Sequence, residues 1–140
     1  EAFTGNTLPV AAGAAFLSHA HAARDTLYPA LNAATARLAR AFNAAAASLD
    51  VPATLRHAGS MFLISLGPAK PRRLEPTLQR TAMDAFVVSA LNGGVMIHPD
   101  LTGYMSAAHS DEQIDQAAKV FADALAEIKA DGLFAALSHT

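Results

Sequence analysis

The sequence contains no cysteine, which excludes both a disulfide framework and thiolate chemistry. Charged residues are scarce, at 16% against 52% hydrophobic residues, and this predicts apolar surface left over for another domain or subunit. A net charge of −2 without a cluster of lysine or arginine argues against a nucleic-acid partner. Because no apolar run could span a bilayer and no signal peptide is recognisable, we expect no membrane partner and a cytoplasmic location.

A metal-binding pattern is also missing, although the sequence has six histidines. His19 and His21 lie two residues apart, so on a helix they point to different faces. The other four histidines have neither ligand spacing nor a Cys or Glu beside them: His57, His98, His109 and His139. We therefore predict no metal site.

The strongest strand signal is Met61–Leu66, in which five of the six residues are apolar. Gly59-Ser60 before it and Gly67-Pro68 after it are turn residues that bound the run. Ala53–Ala58 is predicted to pair with it through a tight turn at Gly59-Ser60. A short apolar strand bounded in this way suits a core position that helices cover on at least one face.

Four helices are predicted from apolar residues spaced by three and four positions. They run from Leu8 to Arg24, from Pro29 to Ser48, from Thr77 to Asn92, and from a cap at Ser110 to a stop at Gly132. The second helix is expected to bury a stripe made of Leu31, Ala34, Leu38, Ala41, Ala45 and Leu49. Ser110 and Gln113 have the pattern of a capping box.

A second hairpin is predicted from Val95–His98 and Tyr104–Ala107, which flank the turn sequence Pro-Asp-Leu-Thr-Gly. The order of elements would then be ααββαββα. This order predicts an α+β fold with a small, largely antiparallel sheet and helices packed on one face. From the residues alone the interpretation ends at such a domain, with backbone N–H groups that could hold an anion at Thr4-Gly5-Asn6.

Three stretches, taken together and in order, resemble a known family: TGNTLPVAAGAAF (4–16), PATLRHAGSMFLISL (52–66) and GYMSAAHSDEQID (103–115). They are similar to the C-terminal part of class III, fold-type I, pyridoxal-phosphate (PLP) aminotransferases, and within these to the glutamate-1-semialdehyde 2,1-aminomutase subgroup. The resemblance covers nearly all of the chain. It implies that residues 1–28 are an interdomain segment with its helix and that residues 29–140 are the small C-terminal domain of a longer enzyme.

The resemblance also carries expectations about the cofactor. In that family PLP forms a Schiff base with a lysine of the large domain. The lysines of this chain, Lys70, Lys119 and Lys129, do not match that position. The family's opening motif resembles G-T-x-x-G-N-P, whose threonine contacts the cofactor phosphate of the neighbouring subunit, and the corresponding residues here are Ala2, Phe3 and Thr4. Ala2 stands at the position of that threonine and has no hydroxyl group.

His98, Asp100 and Tyr104 are the residues that we expect to face substrate; the alternative is that they are ordinary exposed turn residues. Many relatives bind a substrate carboxylate through an arginine at the position of Tyr104, and the aminomutase subgroup lacks that arginine. The loop from His98 to Gly103 is shorter than in the aminomutases and has no glutamate. An aminotransferase and an aminomutase therefore both remain open.

The leading hypothesis is a domain that contributes one wall of an active site for amino-group transfer to or from an amino acid or amino-aldehyde. Its expected partners are the large PLP-binding domain and a second copy of the chain. The first helix has a mostly alanine outer face with Gly13, so we expect the homodimer to form through it. The alternative is a non-catalytic interaction domain that kept the fold, which the missing hydroxyl at Ala2 favours.

The first prediction concerns covalent attachment of the cofactor. PLP added to the isolated chain should form no internal aldimine, because no lysine matches the family's position and a solvated lysine is mostly protonated. Titration followed by visible absorbance and borohydride reduction measures this. A stoichiometric, reduction-trapped adduct at one lysine would contradict the prediction.

Overall fold

The computed structural model describes residues 6–67 and 76–138. The predictions for Ala2, Phe3, Thr4 and Lys70 fall outside these residues. The elements in chain order are α1 (Thr7–Ala22), α2 (Arg24–Ser48), β1 (Ala53–Ala58), β2 (Met61–Leu66), α3 (Pro76–Asn92), β3 (Thr102–Tyr104), α4 (Asp111–Ala130) and α5 (Leu133–Ser138).

The sheet has three antiparallel strands in the order β1-β2-β3, which confirms Met61–Leu66 as the central strand. Its two faces differ because side chains alternate along each strand. Leu55, Ile64 and Leu66 lie on the inner face and are buried under the helices. Met61 and Leu63 lie on the outer face, where they are exposed. The fold is therefore α+β, with helices packed on one face of a small sheet, as predicted.

A cluster of three phenylalanines joins the helices above the sheet. Phe42 of α2, Phe86 of α3 and Phe121 of α4 are each almost fully buried. The ring of Phe42 lies 6.3 Å from that of Phe86 and 6.4 Å from that of Phe121, both edge to face, and the third pair is 5.4 Å apart. Such aromatic pairs add about 0.5–1.5 kcal/mol beyond the burial of their area.

Asn43 of α2 forms hydrogen bonds with the edge strand β1. Its side-chain oxygen accepts the backbone N–H of Leu55 at 2.8 Å, and its side-chain nitrogen donates to the carbonyl of the same residue at 3.0 Å. An edge strand otherwise leaves such groups without partners. One carboxamide thus satisfies both backbone groups of Leu55 at the outer edge of β1 and links α2 to that strand.

The capping box of α4 is confirmed by its geometry. The Gln113 N–H donates to the Ser110 hydroxyl at 3.3 Å, and the Ser110 N–H donates to the side-chain oxygen of Gln113 at 2.9 Å. Two N–H groups that a helix start leaves without partners are satisfied in this way. Gly132, with a φ of +73°, then ends the helix as predicted.

Other sequence predictions were wrong in detail. The second hairpin is absent: residues 95–98 form no strand, and the third strand is Thr102–Tyr104, which pairs with β2. The second helix begins at Arg24 instead of Pro29, which lies inside it. Of its predicted stripe, Leu38 is buried and Leu31, Ala34 and Leu49 are partly buried against the core, whereas Ala41 is exposed. The fully buried residues of this helix are Thr35, Leu38, Ala39, Phe42 and Ala46. The short helix α5 was not predicted.

Helix α1 leaves most of its apolar side chains uncovered. Leu8 is 76% exposed, Phe16 66% and Leu17 67%. Only Ala20 of this helix is buried. Within the described ranges, 6–67 and 76–138, no helix is long and apolar enough to cross a membrane.

The second prediction tests the two faces of β2. Ile64→Ala should lower the free energy of unfolding by about 3 kcal/mol, because it empties space under the helices. Leu63→Ala is the matched control on the outer face, where Leu63 is 40% exposed, and it should cost less than about 1 kcal/mol. Urea unfolding followed by circular dichroism gives both values. Equal costs for the two variants would show that the faces are wrongly assigned.

Candidate functional site

A cavity of about 530 Å³ lies beside β3, between the sheet and the N-terminal half of α4. This volume is within the range of small-molecule sites, about 300–1,000 Å³. Its floor is part of the core, since Leu38, Ile114 and Phe121 are all nearly inaccessible to solvent. Its rim comes from the loop before β3 and from the start of α4. The polar residues that line it are His98, Asp100, Thr102, Tyr104, His109 and Gln113.

Gly103 allows one wall of the cavity to form. It pairs with Phe62 across the sheet, and the two residues share the inner face. A Cβ atom placed on Gly103 would lie 2.1 Å from Cζ of Phe62, much closer than atoms can approach. The ring of Phe62 therefore lies across the position where any other residue would carry a side chain.

Leu101 anchors the loop before β3. Its φ of +63° is in the left-handed region, which a bulky residue rarely adopts and which costs free energy. The side chain is almost fully buried, its N–H donates to the carbonyl of His98 at 2.8 Å, and its own carbonyl accepts the N–H of Ile64 at 3.0 Å. Burial and these two hydrogen bonds offset the strain and hold the loop against the central strand.

Asp100 is the centre of the polar rim. Its Oδ1 accepts the Thr102 hydroxyl at 2.5 Å, the Thr102 N–H at 2.9 Å and the Nδ1 of His98 at 2.7 Å. The Thr102 hydroxyl, the Thr102 N–H and then the His98 ring lower the pKa of Asp100 to about 2. The carboxyl group is therefore ionised at neutral pH, and it holds the imidazole of His98 in one orientation.

The structure brings the three predicted substrate-facing residues to one cavity, since His98, Asp100 and Tyr104 all line it. Tyr104 sits on the edge strand opposite Met61 and is largely exposed. Whether these residues face a substrate remains a prediction. Ala2, Phe3 and Thr4 lie outside the described residues, so their proposed contact with a cofactor phosphate has no structural description.

Three polar rim residues were not predicted as site residues: Thr102, His109 and Gln113. His109 accepts the Ser106 N–H on Nδ1 at 3.1 Å, so Nε2 carries the proton when the ring is neutral. Gln113 lines the same cavity from the first turn of α4. Their position beside the predicted cap at Ser110 was a usable signal. These residues could be assigned to a site only if β3 was known to lie next to the start of α4. The predicted second hairpin did not give β3 that position.

The described residues do not fit PLP on their own. The cavity is lined by no lysine or arginine among them. Lys119 pairs with Asp123 at 2.6 Å on the exposed side of α4, and Lys129 donates to the carbonyl of Leu49. Neither amine is positioned to meet an aldehyde or a phosphate in the cavity. In the same ranges, no three His, Cys, Asp or Glu side chains are grouped to hold a metal ion.

Comparison with known proteins gives a distant match. No protein-family model matches the chain. The chain is 33% identical over 129 residues to glutamate-1-semialdehyde 2,1-aminomutase of Laribacter hongkongensis, a match that covers 89% of this chain and 30% of that protein. The chain thus spans 27% to 30% of the length of the curated relatives it matches.

Solved structures match the fold. The omega-transaminase of Sphaerobacter thermophilus aligns with a TM-score of 0.66 at 20% identity, over 73% of this chain and 24% of that one. A transaminase determined with PLP bound aligns with a TM-score of 0.63 at 20% identity, over 75% of this chain and 24% of that one. The fold is that of the aminotransferase small domain, and the sequence is similar to the C-terminal region of the aminomutases.

The third prediction concerns the Asp100 carboxyl group. Its pKa should be about 2 in the chain and should rise toward the ordinary range in Thr102→Val, which removes the hydroxyl donor. Folding lowers the pKa of Asp100, so the ionised carboxylate stabilises the folded chain at pH values above the pKa of the unfolded chain. This stabilisation is lost as the pH falls toward 2. Carbon-detected NMR of the carboxyl group measures the midpoint.

The matched control for this titration is Thr102→Ser, which keeps the hydroxyl and should keep the low pKa. An unchanged midpoint in Thr102→Val would show that the hydroxyl does not stabilise the carboxylate.

Proposed function

We propose that this chain is the small C-terminal domain of a PLP-dependent aminotransferase or aminomutase that acts on an amino acid or amino-aldehyde. The observation that carries the proposal is the match to the aminomutase of Laribacter hongkongensis, which covers 89% of this chain. The small-domain fold agrees with it. The cofactor would be held elsewhere in the full enzyme, because the described residues offer no lysine at the cavity.

In this proposal the cavity beside β3 forms one wall of the active site. His98, Asp100 and Tyr104 are three of the residues on its rim, and the cavity is large enough for a small substrate. The carboxylate of Asp100 orients the imidazole of His98, whose other nitrogen is left to contact the substrate. The role of the chain is then to position the substrate and to exclude water from one side of it.

The exposed apolar surfaces of α1 and of the outer sheet face support two partners for this chain. Leu8, Phe16 and Leu17 of α1 are exposed, and so are Met61 and Leu63 on the outer face of the sheet. Apolar side chains grouped in this way suit contact with a large domain and with a second subunit. In the proposed enzyme residues 1–28 form the interdomain segment and residues 29–140 the small domain, with a homodimer formed in part through α1.

The fourth prediction tests the proposal on the complete polypeptide encoded by the gene. It should contain an upstream large domain with a Schiff-base lysine and should transfer an amino group, as followed by the absorbance of PLP. His98→Ala should then lower kcat/KM for the amino donor about three- to tenfold, the effect of one lost hydrogen bond. His57→Ala is the control, since His57 is exposed on β1 and does not line the cavity.

A reading frame without a large domain would overturn the proposal and favour the non-catalytic interaction domain. Equal effects of His98→Ala and His57→Ala would overturn only the part that assigns the cavity to the active site.

A further inference from the structure

We infer that the groove between α3 and α4 is a docking surface for a basic amphipathic helix of another protein chain. This groove is separate from the cavity beside β3, because their linings have no residue in common within the part of the chain that the structure describes. The inference goes beyond the proposed function and does not depend on it. Its basis is an apolar groove in which the carboxylates that lack a cation partner are grouped at one end of α4.

The groove is long enough for a helix. Its volume is about 450 Å³, and its lining follows three turns of α3 and the end of α4: Thr81, Asp84, Ala85, Val88, Ser89, Asn92, Glu127, Ile128 and Asp131. From Thr81 to Asn92 the α3 side is about 17 Å long, at 1.5 Å per residue. A helix bound in a groove of this kind uses apolar side chains at helical spacing as its anchors.

The middle of the groove is apolar. Val88 and Ala85 line it from α3, and the buried Ile128 lines it from α4. Val88 is 56% exposed, and Leu91, three residues further along the same helix, is 57% exposed. Exposed apolar side chains grouped in this way mark a surface that a partner can cover.

The charges of the groove select the partner. Asp84 is neutralised within the chain, because Nε of Arg80 lies 2.8 Å from its Oδ1 and 3.0 Å from its Oδ2. Glu127 and Asp131 have no cation partner among the described residues. The Ser89 hydroxyl donates to Oε2 of Glu127 at 2.5 Å and holds this carboxylate at the groove.

Both carboxylates occupy positions that the chain alone disfavours. Glu127 and Asp131 are four residues apart at the end of α4, so their like charges repel each other. Asp131 is the C-cap of α4, at the negative end of the helix dipole, where a cation is the favoured charge. Lys129, which lies between them in sequence, donates to the carbonyl of Leu49 instead. A cation from a partner would relieve both repulsions.

The same charges argue against other large partners. DNA, RNA and anionic membranes carry phosphate groups, which Glu127 and Asp131 would repel. A basic helix has the opposite charge, and the aliphatic stems of its lysine or arginine side chains can cover the apolar middle of the groove. Each exposed ion pair contributes up to about fivefold in affinity, so we expect a weak complex that salt weakens further.

The test uses a blocked peptide of about 16 residues with leucine and lysine on opposite faces, which is long enough to form a helix. Its control peptide has glutamate in place of every lysine. Each is titrated at neutral pH into the ¹⁵N-labelled 140-residue chain, with backbone amide shifts as the readout. The basic peptide should bind and the acidic peptide should not. The shifts should concentrate in residues 81–92 and 127–131, and added salt should reduce the affinity.

Two variant pairs locate the surface. Glu127→Gln should weaken the basic peptide about two- to fivefold. Glu112→Gln is its control, because it makes the same change of charge at the other end of α4, outside the groove. Val88→Lys places a cation in the groove and should abolish the amide shifts there. Val10→Lys is the second control, because Val10 is 59% exposed on α1 and lies outside the groove.

Equal binding of the two peptides, or no binding of the basic one, would overturn the inference. So would shifts outside the groove, or equal effects of the two folded variants of either pair. If Val88→Lys does not fold, the pair of glutamate variants still decides the question.

Sedimentation equilibrium of the chain alone tests a second copy as the occupant. A dimer that Val88→Lys dissociates and Val10→Lys does not would overturn the inference, because the groove would then be filled by the same chain. None of these measurements involves PLP. A polypeptide without amino-transfer activity would therefore refute the proposed function and leave this inference standing.

Discussion

The contact of three phenylalanine rings is the constraint on which the rest of the molecule depends. Phe42, Phe86 and Phe121 come from three different helices, and each ring packs against the other two. Once they meet, the distances between the helices are set by the width of the rings. Because Phe121 also forms part of the cavity floor, the same contact determines how far α4 stands from β3. The candidate site is in this sense a continuation of the core.

The described surface includes an edge whose hydrogen bonds are made within the chain and regions that expose grouped apolar side chains. At the outer edge of β1 the carboxamide of Asn43 occupies both backbone groups of Leu55, so these groups are not open to another strand. Helix α1 and the outer face of the sheet expose grouped apolar side chains instead. With few charges to cover them, such regions lower the solubility of a chain that stands alone.

Features that depend on near neighbours in the sequence could be predicted. The capping box needs only Ser110 and Gln113, and the first hairpin needs only the apolar run Met61–Leu66 and the turn at Gly59-Ser60 before it. Features set by tertiary contacts could not. A strand of three residues has too little pattern to be detected, and β3 is positioned by the strained backbone of Leu101 and by the ring of Phe62. In the alanine-rich helix α2, several faces have nearly equal hydrophobicity, so the large side chain of Phe42 decided its orientation.

The close approach of Phe62 to Gly103 has a consequence for how this protein can change over evolutionary time. The two positions share one volume, because a Cβ on residue 103 would occupy the place of the ring at residue 62. A related chain that carries a side chain at 103 needs the ring at 62 to move or to be smaller, so the two positions are coupled. Since both line the cavity, such a change would reshape the candidate site while leaving the helices in place. The pair is thus a place where the shape of the cavity can change without a change of fold.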